Sequence, residues 1–231
     1  MKLLRCILYP LALLFGFVVA IRNFLFDIGF LKTYTISMPS IGVGNLSLGG
    51  TGKSIVIDYL IILLKKKYSI SVLSRGYKRE TSGVIVGNVN SSAAMIGDEP
   101  LQFLKKHPSI FVVVAEKRIL GLNKIKEIKL LNTIVLLDDI MQHRYVKPSL
   151  LIITTTFNNP YFSDYLLPTG NLRESPLGAK RANVILVTKC PDTISNQDID
   201  SFKEKCFISE DQYLFFTKIK YSSYIFNGVS R

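Results

Sequence analysis

The sequence predicts an α/β fold: a mostly parallel sheet flanked by helices, preceded by an apolar N-terminal helix. Three observations point there. Short apolar runs alternate with helix-like stretches along most of the chain, a glycine-rich turn joins the first run to the first long helical stretch, and an uncharged apolar stretch lies near the N-terminus.

From Cys6 to Ile21, between Arg5 and Arg22, the chain reads CILYPLALLFGFVVAI, without a charged residue. As a helix this stretch reaches about 24 Å at ~1.5 Å per residue, short of the ~30 Å hydrocarbon core. Three readings are open: a membrane-inserted anchor, a signal peptide with Lys2 and Arg5 as its positive start, or a buried core helix. Phosphate chemistry further along the chain favours a helix inserted in or lying on the inner leaflet. Residues 1–31 are therefore expected to form a membrane-associated segment and residues 32–231 a single α/β domain.

Within that domain, expected strands cover Thr35–Val43, Ile70–Leu73, Ile110–Val114, Thr133–Leu137, Leu150–Thr154 and Val184–Val187. Expected helices cover Lys53–Lys67, closed by three lysines suited to a helix C-terminus, and then Asp98–Lys106 and Arg118–Lys129. The formal net charge of +12 favours anionic partners, and 48% hydrophobic residues with 20% charged exclude wholesale disorder. Three scattered cysteines and two distant histidines exclude a disulfide framework and a histidine metal cluster. No interleaved aromatic and basic motif marks a specific nucleic-acid surface.

Residues 44–54 read GNLSLGGTGKS, following one strand and opening a helix. That context makes a phosphate-binding P-loop: Gly49, Gly50, Thr51 and Gly52 turn backbone N–H groups inward, Lys53 reaches the outer phosphates, and Ser54 binds magnesium. Ser47 stands where the general pattern has glycine. The run TIVLLDD, Thr133 to Asp139, ends in Asp138 and Asp139, placed to serve a metal at the carboxyl edge of the sheet or simply to end a strand. Asp98 and Glu99 open a helix, where carboxylates suit the helix dipole and can equally act as a base beside an acceptor hydroxyl. Arg75 and Arg118 each follow a strand and are either site residues or solvated arginines. A guanine-reading loop is disfavoured, because Asp192 lies after Thr188-Lys189 with Cys190 and Pro191 between.

Six segments in order, GNLSLGGTGKS, LSRGYKR (Leu73–Arg79), GDEP (Gly97–Pro100), LLDDIMQH (Leu136–His143), LLPTGNLRE (Leu166–Glu174) and VTKCP (Val187–Pro191), together resemble the tetraacyldisaccharide 4'-kinase family of lipid A biosynthesis. That family has Ser or Thr at the position of Ser47. The resemblance implies an enzyme on the cytoplasmic face of the bacterial inner membrane. It would use ATP and Mg2+ to phosphorylate the 4'-hydroxyl of an acylated glucosamine disaccharide 1-phosphate lipid. It further implies Lys53 and Ser54 on nucleotide and metal, Asp138 and Asp139 on Mg2+, and Asp98 as base with Glu99 beside it. Gln142, His143 and Arg173 would lie near the substrate, and the positive charge would attract both the substrate phosphate and the anionic inner-membrane surface. Ile140 and Met141 replace the family's Gly-Phe. Family members also carry a longer C-terminal part with a histidine motif, whereas the last histidine here is His143. The expectation is a kinase, with an inert nucleotide- or membrane-binding remnant as the alternative.

Overall fold

The computed structural model describes residues 7–128 and 130–220. Cys6 with Lys2 and Arg5, the expected helix end Lys129, and Arg231 lie outside them.

The first helix, α1, runs Tyr9–Asp27 with Pro10 in its first turn, where a missing N–H costs nothing. Behind it, eight strands form one sheet in the order β10-β9-β8-β2-β6-β3-β5-β4. Their ranges are β2 Ser40–Gly44, β3 Ser69–Ser74, β4 Ile85–Val86, β5 Phe111–Val114, β6 Thr133–Asp138, β8 Leu150–Thr156, β9 Val184–Thr188 and β10 Tyr213–Phe216. Every pairing is parallel except β4 with β5. The parallel α/β class is thus as the sequence predicts.

The strand expected over Thr35–Val43 is divided. Tyr34–Thr35 (β1) pairs instead with Val146–Lys147 (β7) in a separate two-stranded sheet, and β2 begins only at Ser40. Pro39 lies at the break: it has no N–H for a ladder, and only its carbonyl is used, by Val135 N.

The central strands are apolar on both faces because helices cover both. Val43, Val72, Val112, Val114 and Leu136 pack with Ile57, Leu60 and Ile61 of helix α2, Lys53–Leu64, on one side. On the other, Leu73, Val113, Val135 and Leu137 pack with Leu122 and Ile125 of helix α5, Arg118–Glu127. Full burial of each such side chain stabilises the fold by about 1.5–3 kcal/mol. Helix α2 ends three residues earlier than the lysine run suggests, so Lys65–Lys67 lie in the following turn.

Between these two helices come α3, Ala93–Ile96, and α4, Asp98–Lys106. The last helix, α6 (Asn196–Lys205), opens with a reciprocal capping box between Ser195 and Asp198. This architecture brings the C-terminal ends of β2, β3, β6, β8 and β9 to one edge, where parallel α/β sheets place their ligands.

Candidate functional site: a phosphate loop facing paired aspartates

At the end of β2 the chain turns through residues 45–52 into α2. Gly52 has φ +90° and Gly49 φ +108°, conformations that L side chains rarely adopt, so the turn needs glycine at both. Gly44 is constrained differently: a Cβ there would lie 2.8 Å from the Met141 backbone nitrogen. Any side chain at 44 would push away the segment that carries Asp139.

The loop is braced from inside. Buried Asn45 donates to the Ser47 carbonyl (2.7 Å) and to Thr51 Oγ1 (2.9 Å). Thr51 and Thr154 hydroxyls share a 2.7 Å hydrogen bond, Thr154 Oγ1 donates to the Gly44 carbonyl at 3.3 Å, and Thr188 Oγ1 donates to the Thr51 carbonyl at 2.8 Å. A second brace comes from the LLPTGNLRE segment, where Leu48 N donates to the Asn171 carbonyl and Arg173 N to the Leu46 carbonyl.

Opposite the loop, β6 delivers Asp138 and Asp139. Lys53 Nζ is 3.5 Å from Asp139 Oδ1, and Arg173 Nη1 is 3.1 Å from Asp139 Oδ2. Burial pushes the Asp139 carboxyl up, but the cations of Lys53 and Arg173 outweigh it and hold the group below the usual carboxylate range. Asp139 also has φ +48°, strain that its surroundings sustain at the mouth of the site. Its neighbour behaves oppositely. Asp138 is buried and accepts from Ser74 Oγ at 3.0 Å, and burial followed by the nearby charge of Glu99 raises its pKa to about 6.

Ser54 Oγ donates to Glu99 Oε1 at 2.6 Å, tying the start of α2 to the start of α4. These groups line one cavity of about 660 Å3 with Gly49–Ser54, Ser74, Arg75, Tyr77 and Lys189. Among the described residues no three His, Cys, Asp or Glu side chains converge into a preformed metal cage. The oxygen donors that do line the cavity are Ser54 Oγ and the Asp138 and Asp139 carboxylates, the ligand type that hard divalent cations take alongside phosphates and water.

The remaining expected residues separate. Asp98 is exposed at the first position of α4 and does not line the cavity, whereas Glu99 does. Arg75 is exposed at the rim, and Arg173 is inside. Arg118 is not a solvated arginine: it is 3% exposed and donates to the carbonyls of Ala115 (2.8 Å) and Asp138 (3.3 Å), bracing the end of β6 from behind. Burial lowers its pKa to about 10, against the opposing pull of Asp138 and Asp139, so it stays cationic at neutral pH. Gln142 joins two loops: Nε2 donates to the Asn45 carbonyl (2.8 Å), and Oε1 accepts from Arg173 (2.8 Å). His143 faces a separate groove with Ile140 and Arg144. Burial and then the charges of Arg118 and Arg75 lower its pKa to about 4, leaving a neutral imidazole.

Sequence reasoning missed Asn45, Ser74, Thr188 and Glu174. All four lie inside quoted motifs; the first three carry no charge to draw notice, and Glu174, at the end of LLPTGNLRE, is buried and accepts from Arg181 at 2.8 Å.

The profile of the LpxK family, tetraacyldisaccharide-1-P 4'-kinase, matches residues 4–219. The chain belongs to this kinase family. It is 49% identical over 230 residues to a tetraacyldisaccharide 4'-kinase of Flavobacterium psychrophilum, covering 99% of this chain and 67% of that one. To those of Flavobacterium johnsoniae and Bacteroides thetaiotaomicron it is 46% and 44% identical, over 98% and 94% of this chain and 66% and 57% of theirs. The chain thus spans about two thirds or less of the length of these relatives. Among solved structures it is similar to LpxK from Aquifex aeolicus in complex with ATP, with TM-score 0.76 and 36% identity over 91% of this chain and 64% of that one. The P-loop kinase fold and the resemblance read from the six motifs are borne out.

Proposed function

We propose that this chain carries the phosphoryl-transfer site of a lipid A 4'-kinase. It would move the γ-phosphoryl group of ATP to the 4'-hydroxyl of a tetraacylated glucosamine disaccharide 1-phosphate. The observation that carries the reading is the shared cavity in which Lys53, Ser54, Asp138 and Asp139 face one another.

Each residue then has a task. The N–H groups of Gly49–Gly52 and the start of α2 cradle phosphate. Lys53, now balanced by Asp139, turns to the outer phosphates. Ser54, Asp138 and Asp139 would hold Mg2+, which neutralises charge developing on the transferred group. Glu99 faces the same cavity, and Asp98, its exposed neighbour at the start of α4, is assigned as the base for the acceptor hydroxyl. Arg173 and Arg75 are assigned to anionic substrate groups. Arg118 braces the strand end that carries Asp138, and His143 belongs to the separate groove.

Residues 1–31 are assigned to membrane association and 32–231 to the kinase domain. Helix α1 has the length and apolarity to cross a bilayer, yet a stripe of it follows the protein body. Ala12 and Phe26 are buried, and Gly16 abuts the Leu166 side chain. Leu13, Leu14, Phe17, Val18, Ile21 and Phe24 remain exposed on its other faces. A helix held to its domain along its length while displaying apolar side chains suits one lying in the cytoplasmic face of the inner membrane, where the acceptor lipid resides.

The test is transfer of labelled γ-phosphate from ATP to the disaccharide acceptor with Mg2+ and membranes. Phosphorylated lipid is expected from the unmodified chain and none from Lys53→Ala. Undiminished transfer by that variant would remove the proposal, and ATP binding without transfer would leave a nucleotide-binding module alone.

A further inference from the structure

Besides Tyr9, helix α1 carries three polar side chains, Arg22, Asn23 and Asp27, all at its carboxyl end. Each is committed to a loop at the phosphate edge. Arg22 Nη2 donates to the Gln142 carbonyl at 3.1 Å, and Asn23 Nδ2 donates to Glu174 Oε2 at 3.0 Å. Asp27 accepts from Arg144 Nη2 at 2.5 Å, while Arg144 Nη1 donates to the Asn23 carbonyl at 2.8 Å. The Arg22 and Arg144 guanidinium groups both stand over the Phe26 ring, at 5.2 and 5.0 Å.

The partners of these groups belong to the site. Gln142 and Arg144 follow Asp139 in one loop, Glu174 follows Arg173 in the other, and Arg173 Nη1 bridges Asp139 and Gln142. A connected path therefore runs from α1 through Gln142 and Arg173 to Asp139 and Lys53. Against this, only Ala12 and Phe26 of the helix are buried. Polar contacts, more than apolar packing, set where the helix sits, and whatever fixes the helix also biases both loops.

We propose that Asn23 and Arg144 are positioning residues that couple seating of α1 on an anionic lipid surface to the geometry of the loops carrying Asp139 and Arg173. The inference rests on the kinase reading for what those loops bind. Coupling between two sites is reciprocal: if lipid tightens Mg2+–ATP binding, Mg2+–ATP tightens lipid binding by the same factor.

The experiment uses the full chain and phosphatidylcholine vesicles containing phosphatidylglycerol. Affinity for Mg2+–ATP is measured with and without vesicles, and vesicle flotation with and without Mg2+–ATP. The unmodified chain should show matching shifts of about fivefold or more, within the usual range for allosteric coupling. Asn23→Ala and Arg144→Met should each bring both shifts close to onefold while each binding event persists alone. Thermal unfolding confirms that each variant is folded, and if Arg144→Met is not, the smaller truncation Asn23→Ala carries the test. Shifts of unmodified size in the variants would overturn the coupling, as would none in an unmodified chain that binds Mg2+–ATP. Failure of that chain to bind Mg2+–ATP at all would instead remove the kinase reading, and the coupling with it.

Discussion

In the phosphate loop, Asn45, Thr51, Thr154 and Thr188 hydrogen-bond to one another and to the backbone within the chain, whereas α1 leaves Leu13, Leu14, Phe17, Val18 and Phe24 uncovered. The loop is built to hold its shape before any ligand arrives. Preorganised donors of this kind spend nothing on rearrangement when charge arrives. The helix is built the other way, with apolar area that water penalises and that only a surface outside the described residues can cover. The first region should therefore respond to substitution through nucleotide and metal, the second through lipid.

The largest effect that would sharpen this contrast lies at Asp138. Its folded pKa, about 6, is raised above the ordinary 3.8. The folded state thus holds a proton that the unfolded chain has released between about pH 4 and 6, and the stability present below that window is lost as pH rises through it. Asp138→Asn should then stabilise the ligand-free protein at pH 7.5 by up to about 3 kcal/mol, with the gain vanishing below pH 4. Thermal melts across that range measure it. The same variant should lose Mg2+-dependent tightening of ATP, and in the unmodified chain that tightening should fade as pH drops through about 6 and Asp138 takes up its proton.

Next in size, Lys53→Ala should weaken Mg2+–ATP binding about a hundredfold, as expected for loss of a cation that contacts phosphate, with vesicle binding untouched. Thr51→Val strips the loop of a hydroxyl that serves both Asn45 and Thr154. Asn45 keeps its bond to the Ser47 carbonyl and Thr154 its bond to the Gly44 carbonyl, so the loss of one buried hydrogen bond from each should cost about 2 kcal/mol in denaturant unfolding. The smallest change is on the helix: Phe17→Ser should weaken vesicle binding about tenfold, roughly 1.4 kcal/mol, with ATP affinity in the absence of lipid unaltered. A Phe17 variant that binds ATP poorly without lipid would erase the distinction between the two regions.

The loop and the aspartates were legible because their signals are local. Glycines, then Lys53 and Ser54, occur in unbroken order, and a buried strand announces Asp138 by its apolar run. The helices α2, α4 and α5 were legible in their starts, since Lys53, Asp98 and Arg118 are the first helical residues. What could not be read depends on contacts distant in sequence. Arg118 is held by main-chain carbonyls, which any sequence supplies, so nothing in its neighbours marks it as buried. Asn23 meets Glu174 across 151 positions. Strand β10, Tyr213–Phe216, is a four-residue apolar run that alternates exposed and half-buried at the sheet edge, and what makes it a strand is its parallel pairing with β9, distant in sequence.

The central claim is that the phosphate loop and the strand-end aspartates share one metal–phosphate site. Crystals grown with Mn2+ and ATP test it directly through the anomalous signal of manganese. One peak is expected within coordinating distance of Ser54 Oγ and the Asp138 and Asp139 carboxylates, with the triphosphate wrapped by Gly49–Lys53. A metal bound elsewhere, with those carboxylates turned away from the nucleotide, would contradict it.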